Sequence, residues 1–394
     1  MVTDVVYDPL DFESLRDPYP LYRVLRNEFP VYHNPVRGIW ALTRFEDVQS
    51  ASRDWETFAN VPGVDLDDFV DVIGPGSFID LDPPRHDELR DVVRRHFAPN
   101  VILRHEAEMT GLANALLDEV LGQETADLAA DFAWQLPVAV ISMLLGFPAE
   151  DRQHLSMLAQ EFAHRESGEV HVPERARDAG RELRGYFTEL ISDRLQEPRD
   201  DVLSEIAAAS HSERVSFEEA ISICNLLFLA GIETTASLIS NSLHILARES
   251  EKAELLRQRP DLMPRAIEEL LRYETPVQHL ARTTTRAVSL HDTEIPAEAR
   301  VVLVHGAANR DERRFPNPDV LDFERETKRT LAFGEGIHFC LGAPLARPEA
   351  RIALAHFLAR VESFELCGAP ERSHTSTAYG FERLPCVFRR RRCV

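Results

Sequence analysis

Residues 333–349 read FGEGIHFCLGAPLARPE. Gly334 and Gly336 lead into Cys340, and Gly342 follows it. Glycine lets the backbone adopt positive φ or pass close to a flat ligand. A helix-compatible run begins directly afterwards, so Cys340 is predicted at the N-terminal end of a helix. Unpaired N–H groups and the positive end of the dipole there favour thiolate over thiol. A lone cysteine is most often an inert core residue. Phe333, His338 and Arg347, set around the glycine spacing, point instead to a sulfur presented to a ligand.

Upstream, residues 216–249 read SFEEAISICNLLFLAGIETTASLISNSLHILARE. Ser216 and Glu219 fit a capping box. At 1.5 Å per residue the helix would be roughly 50 Å long, enough to cross a domain. Asn225, Glu233 and Asn241 interrupt it too often for a membrane span, and a helix so apolar all round must be buried. Gly231, Thr234 and Thr235 are poor helix formers, and Glu233 is costly there without a partner or a task.

A second helix is predicted over residues 264–273, ending near Pro276. Short β segments follow at 281–290 and 299–308, with a turn at His291-Asp292. Alternation over residues 30–43 predicts a hairpin through Pro35 to Gly38. Further helices are expected over 87–97, 106–121, 132–145 and 175–195. The fold class is mainly α with a small, mainly antiparallel β portion (α+β). No linker, repeat or low-complexity tract divides the 394 residues, so one domain over 1–394 is expected.

A net charge of -22 argues against nucleic-acid binding. Residues 389–392, a run of arginines, read as a solvated tail. Five scattered cysteines without a CxxC suit a reducing compartment. The N-terminal residues carry no signal-like apolar core and no membrane anchor, so a cytoplasmic protein is expected.

Residues 333–342 match F-G-x-G-x-H-x-C-x-G at every position and so resemble the haem-ligand loop of the cytochrome P450 family, specifically its soluble bacterial type. The resemblance covers essentially the whole chain. It implies the P450 fold, with haem b buried between two long helices, and Cys340 as the iron's axial metal ligand beside Phe333, Gly334 and Gly342. His86 and Arg90, four apart in DPPRHDELR, resemble the segment that meets the haem propionates, as do Arg282 and His338. Glu269 and Arg272 resemble the family's E-x-x-R, with Arg325 as third member of a structural ion network. Residues 230–235, AGIETT, match the oxygen-activating motif. There the resemblance gives Gly231 a groove for dioxygen, Thr234 the orientation of oxygen and water, and Glu233 the relay of protons. Pro348, where the family carries an ordinary helix former, is expected to kink the helix.

The implied reaction is O2 activation and hydroxylation of a small, largely apolar organic substrate. No nucleotide-binding or iron–sulfur region is evident, so NAD(P)H would act only indirectly, through a ferredoxin reductase and a ferredoxin. Arg94, Arg95 and Arg347 are candidate docking residues. Residues 61–79, 226–233, 277–280 and 375–379 are expected around the substrate, with Phe78, Ile79, Leu229, Val277 and Leu280 as apolar walls. Gln278, His279 and Tyr379 are expected as polar anchors. Rival readings are a peroxide-driven haem oxygenase, a haem-dependent isomerase and a non-catalytic haem-binding sensor or recruitment protein. The Glu233-Thr234 pair speaks against the first of these.

Overall fold

The computed structural model describes residues 5–13, 15–67, 77–326 and 329–391. Its axis is the 32-residue helix Phe217–Arg248. Ser216 caps it: the Ser216 hydroxyl accepts from Glu219 N at 3.1 Å, and Ser216 N donates to the Glu219 carboxylate at 2.7 Å. Two otherwise orphaned donors are thereby satisfied. The helix is long and apolar enough to cross a membrane, yet 67% of its apolar stretch is buried inside the protein. That is the pattern of a core helix.

Helices Gln135–Leu145, Glu174–Gln196 and Ala343–Arg360 pack directly on it. Phe147, Phe187 and Phe228 form one ring cluster at this junction, with centroids 5.5 to 5.8 Å apart. The interior polar residues have partners of their own. Asn241 Nδ2 donates to Tyr379 O at 2.6 Å, and its Oδ1 accepts from Arg372 at 2.8 Å. The long helix is therefore bonded to the C-terminal segment as well as packed against it.

A five-stranded sheet lies to one side, in the order Val31–Asn34, Ile39–Leu42, Arg300–Leu303, Leu280–Thr284, Phe58–Ala59. Only Ile39–Leu42 and Arg300–Leu303 pair in parallel. Along the central strand, Val301 and Leu303 join one apolar cluster with Leu42 and Phe45, and Val302 joins another with Tyr22 and Leu25. The period of two explains why both faces are apolar: each has its own cover. The expected hairpin over 30–43 forms, with Gly38 at φ 66° in its turn. His291 and Asp292 also take positive φ, 48° and 59°, between Val288–Leu290 and Thr293–Ile295.

Several expectations are corrected. The β segment expected to 308 ends at Leu303, and His305–Ala308 coils into a helical turn. Gly306 is close against Gln278 there, and a Cβ would meet its side-chain oxygen at 2.1 Å. The helix expected over 87–97 is Arg85–Val93 followed by a tighter turn, Arg94–Phe97. Within the arginine run, Arg389, Arg390 and Arg391 are not a free tail. Pro385–Arg390 is a strand paired with Val361–Leu366, because Cys386 and Phe388 turn into the core while the arginines alternate outward. Arg392 and Cys393 lie outside the described residues. Helix Ala343–Arg360 runs unbroken through Pro348, so the interruption is confined to the hydrogen bond that proline cannot donate.

Candidate functional site

Cys340 precedes helix Ala343–Arg360 and faces a cavity of about 320 Å³ between that helix and Phe217–Arg248. Its loop is shaped by backbone demands. Gly334 and Gly336 have φ of 69° and 73°, and a Cβ on Gly336 would lie 2.5 Å from Ser52 O. Cys340 N donates to Phe333 O at 2.9 Å, folding the loop back on itself. Glu335, buried within the loop, accepts from Arg329 at 2.9 Å and lies 3.5 Å from Arg53. The Arg347 guanidinium rests 4.3 Å from the centre of the Phe333 ring and pairs with Glu268.

The sulfur is in a contested environment. Burial raises the Cys340 thiol above its ordinary pKa; the N–H groups of Gly342 and Ala343, with Arg90 and Arg347, pull the other way. The helix end alone therefore does not yield a thiolate, as the sequence led us to expect. A cation at the sulfur would complete the balance, since metals bind the deprotonated form.

One edge of the cavity gathers cations and imidazoles. Arg90, Arg282 and His338 line it. Arg90 donates to Phe339 O at 2.6 Å. Arg282 donates to Ala281 O at 2.7 Å, and burial lowers its pKa to about 10. His86 does not line the cavity; its ring lies 4.4 Å from that of His338. Burial holds His338 near pKa about 4, and Nε2 of each imidazole is buried without a hydrogen-bond partner. His338 Nε2 lies 3.9 Å from Asp82; two enclosed guanidiniums and the open Nε2 of His86 beside it suit carboxylates such as haem propionates.

Opposite Cys340, the long helix presents Ala230, Gly231, Glu233 and Thr234 to the same cavity. The Thr234 hydroxyl donates to Ala230 O at 2.7 Å, the back-bonding that loosens a helix. A Cβ on Gly231 would press on Ile141 at 3.3 Å, so this glycine also permits close helix approach. Glu233 is raised above its ordinary pKa, first by burial, against Thr375 and Arg165. Its Oε1 has no hydrogen-bond partner.

Behind the loop, Glu269 and Arg272 are fully buried and joined at 2.7 and 2.8 Å. Arg325 reaches Glu269 at 3.0 Å. Arg272 also donates to Asn309 O and Pro318 O, and Arg325 to Pro316 O and Asn317 O. Three side chains thus fasten helix Met263–Tyr273 to the segment leading into the cysteine loop.

Phe78, Ile79, Leu229, Val277 and Leu280 all line the cavity. Gln278, His279 and Tyr379 do not; they line a separate cleft. The reason is a bridge between Val277 and Ala378, with Gln278 N bonded to Thr377 O at 3.0 Å, which turns Val277 inward and its successors away. The Tyr379 hydroxyl donates to Arg16 O at 2.6 Å. Within 61–79, residues 68–76 lie outside the described residues. Asp65 falls within the expected stretch 61–79 without having been singled out, and Arg165 and Glu335 were not expected at the cavity; all three line it. For Asp65 the aspartate-rich stretch 65–68 was an available signal; Arg165 carried none.

A family model described as Cytochrome P450 matches residues 121–377. Cytochrome P450 123 of Mycobacterium tuberculosis is 38% identical over 388 residues, 97% of this chain and 96% of that relative. Among solved structures, CYP109E1 of Bacillus megaterium, in complex with testosterone, is similar with a TM-score of 0.87 at 30% identity, covering 95% of this chain and 98% of that one. P450BioI, in complex with acyl carrier protein ligated to hexadec-9Z-enoic acid, is similar with a TM-score of 0.87 at 32% identity, covering 96% and 100%. With the fold and the full length of these proteins shared, the chain belongs to the cytochrome P450 family.

Proposed function

We propose that this P450 monooxygenase hydroxylates a small, largely apolar organic substrate in a single haem domain, and that Cys340 would hold the iron of its haem b. The observation that carries the reading is the convergence on one cavity of Cys340, the cationic edge and the Glu233-Thr234 turn. Haem b, when bound, supplies the redox chemistry of oxygen activation, which a thiolate ligand promotes.

The chain's own residues then divide the work. N–H groups of Gly342 and Ala343 favour the anionic form of the Cys340 sulfur against its burial, and a bound iron would complete that balance. Arg90, Arg282, His338 and, through its contact with His338, His86 fix the propionate edge. The Thr234 hydroxyl, bonded to Ala230 O, would orient oxygen and water over a bound haem by turning from that carbonyl. Glu233, enclosed and raised above its ordinary pKa by burial, would pass protons toward that site, as a general acid does. Phe78, Ile79, Leu229, Val277 and Leu280 exclude water and favour an apolar substrate.

Electrons come from a separate ferredoxin and its NAD(P)H-dependent reductase, in the cytoplasm. Each suggested docking arginine has a carboxylate partner: Arg94 with Asp91, Arg95 with Glu205, Arg347 with Glu268. Docking there exchanges internal pairs for intermolecular ones and is weakened by salt. The test is reconstitution: a hydroxylated product should require NAD(P)H, both carriers and O2 together. Equal product from hydrogen peroxide alone would favour the peroxide-driven reading.

A further inference from the structure

We propose that the substrate carries a cationic nitrogen and that Asp65 is its anchor, an inference that rests on this cavity being the substrate pocket. The argument begins with partners. Asp65 lines the cavity, and its carboxylate receives one hydrogen bond, from the Ser376 hydroxyl at 3.3 Å. Two arginines stand near, and both are engaged elsewhere. Arg165 donates to Asp67 at 2.6 Å and to Phe162 O and His164 O. Arg300 donates to Gly63 O, to Thr283 and to the backbone oxygen of Asp65. Among the described residues no cation pairs with the Asp65 carboxylate, and no Lys, Arg or His occurs in the sequence from Asp65 to Gly76.

Two further buried acceptors without partners belong to residues that line the same cavity, from other places in the chain. Asn60 is 1% exposed; its amide nitrogen is fixed by Ile79 O at 2.6 Å, so its Oδ1 is the atom left without a partner. Glu233, on the long helix, leaves Oε1 unpartnered. Adjacent residues locate the two carboxyls: Thr375 stands beside Glu233, and Ser376 beside Asp65. One polar end of an otherwise apolar cavity thus gathers the carboxyls of Asp65 and Glu233, the amide of Asn60 and the Arg165 guanidinium, which Asp67 already engages. Burial and the nearby Asp67 and Asp80 push the Asp65 carboxyl well above the usual carboxylate range, and an adjoining cation would reverse that. A buried acceptor without a donor is costly, and a charge-assisted N–H bond is the strongest remedy.

The holoprotein is titrated by calorimetry with three ligands of equal chain length: N,N-dimethyloctylamine, octan-1-ol and octanoate. The amine should bind about tenfold tighter than the alcohol, with octanoate weakest. In Asp65→Asn the advantage of the amine should fall to about twofold or less, with octan-1-ol affinity as the control for an intact pocket. An alcohol that matches the amine in the wild type, which needs no variant, would overturn the proposal; so would an Asp65→Asn protein that keeps the preference. Failure of the haem-thiolate reading is separate: it would appear in the carbon monoxide spectrum and not in this ranking.

Discussion

Thr234 and Glu233 are adjacent in sequence, yet one bonds locally and the other is left with an open acceptor. The proposed relay would use that asymmetry: a hydroxyl that can exchange its local bond, and an acid whose pKa burial raises. Thr234→Ala should therefore retain haem and its thiolate spectrum while diverting reducing equivalents into hydrogen peroxide. Full coupling of NAD(P)H to product would remove Thr234 from the relay. His279 gives a second prediction at this scale. Burial lowers its pKa from 6.5 to about 4. As pH falls between those values, the unfolded chain takes a proton that the native one refuses, so this group subtracts stability with increasing acidity. His279→Leu should lose stability less steeply over that window, by about 1.4 kcal/mol per pH unit, in urea melts at a series of pH values.

At the scale of elements, the Glu269–Arg272–Arg325 network holds the cysteine loop indirectly, through the segment that precedes it. Replacing Glu269 with Gln leaves the fully buried Arg272 without its counter-ion and should cost about 3–5 kcal/mol, with haem lost on mild heating. A melting profile equal to that of the wild type would show the pair to be dispensable. Pro348 tests the opposite sign. The helix accommodates it at the expense of one backbone bond, so Pro348→Ala should raise stability by about 1–3 kcal/mol.

For the molecule as a whole, what could be read in advance followed from short-range constraints. The loop at 333–342 was legible because positive φ at Gly334 and Gly336 and the sulfur four residues after Gly336 are local requirements. The long helix was legible because its cap and its apolar run are contiguous. The walls of the cavity were read only in part. Val277 and His279 are neighbours, and which of them turns inward is decided by a bridge to Ala378, far along the chain. Asp67 and Arg165 likewise meet only through the fold. The terminal arginines looked like a tail because their strand partners lie at Val361–Leu366.

The central claim is a bond between Cys340 and haem iron. The purified holoprotein should be reduced with dithionite and exposed to carbon monoxide, beside Cys340→Ala. The wild type should show the strongly red-shifted Soret band of thiolate ligation, and the variant should lack it. A wild-type spectrum of the histidine-ligated kind, or an unchanged band in Cys340→Ala, would contradict the account.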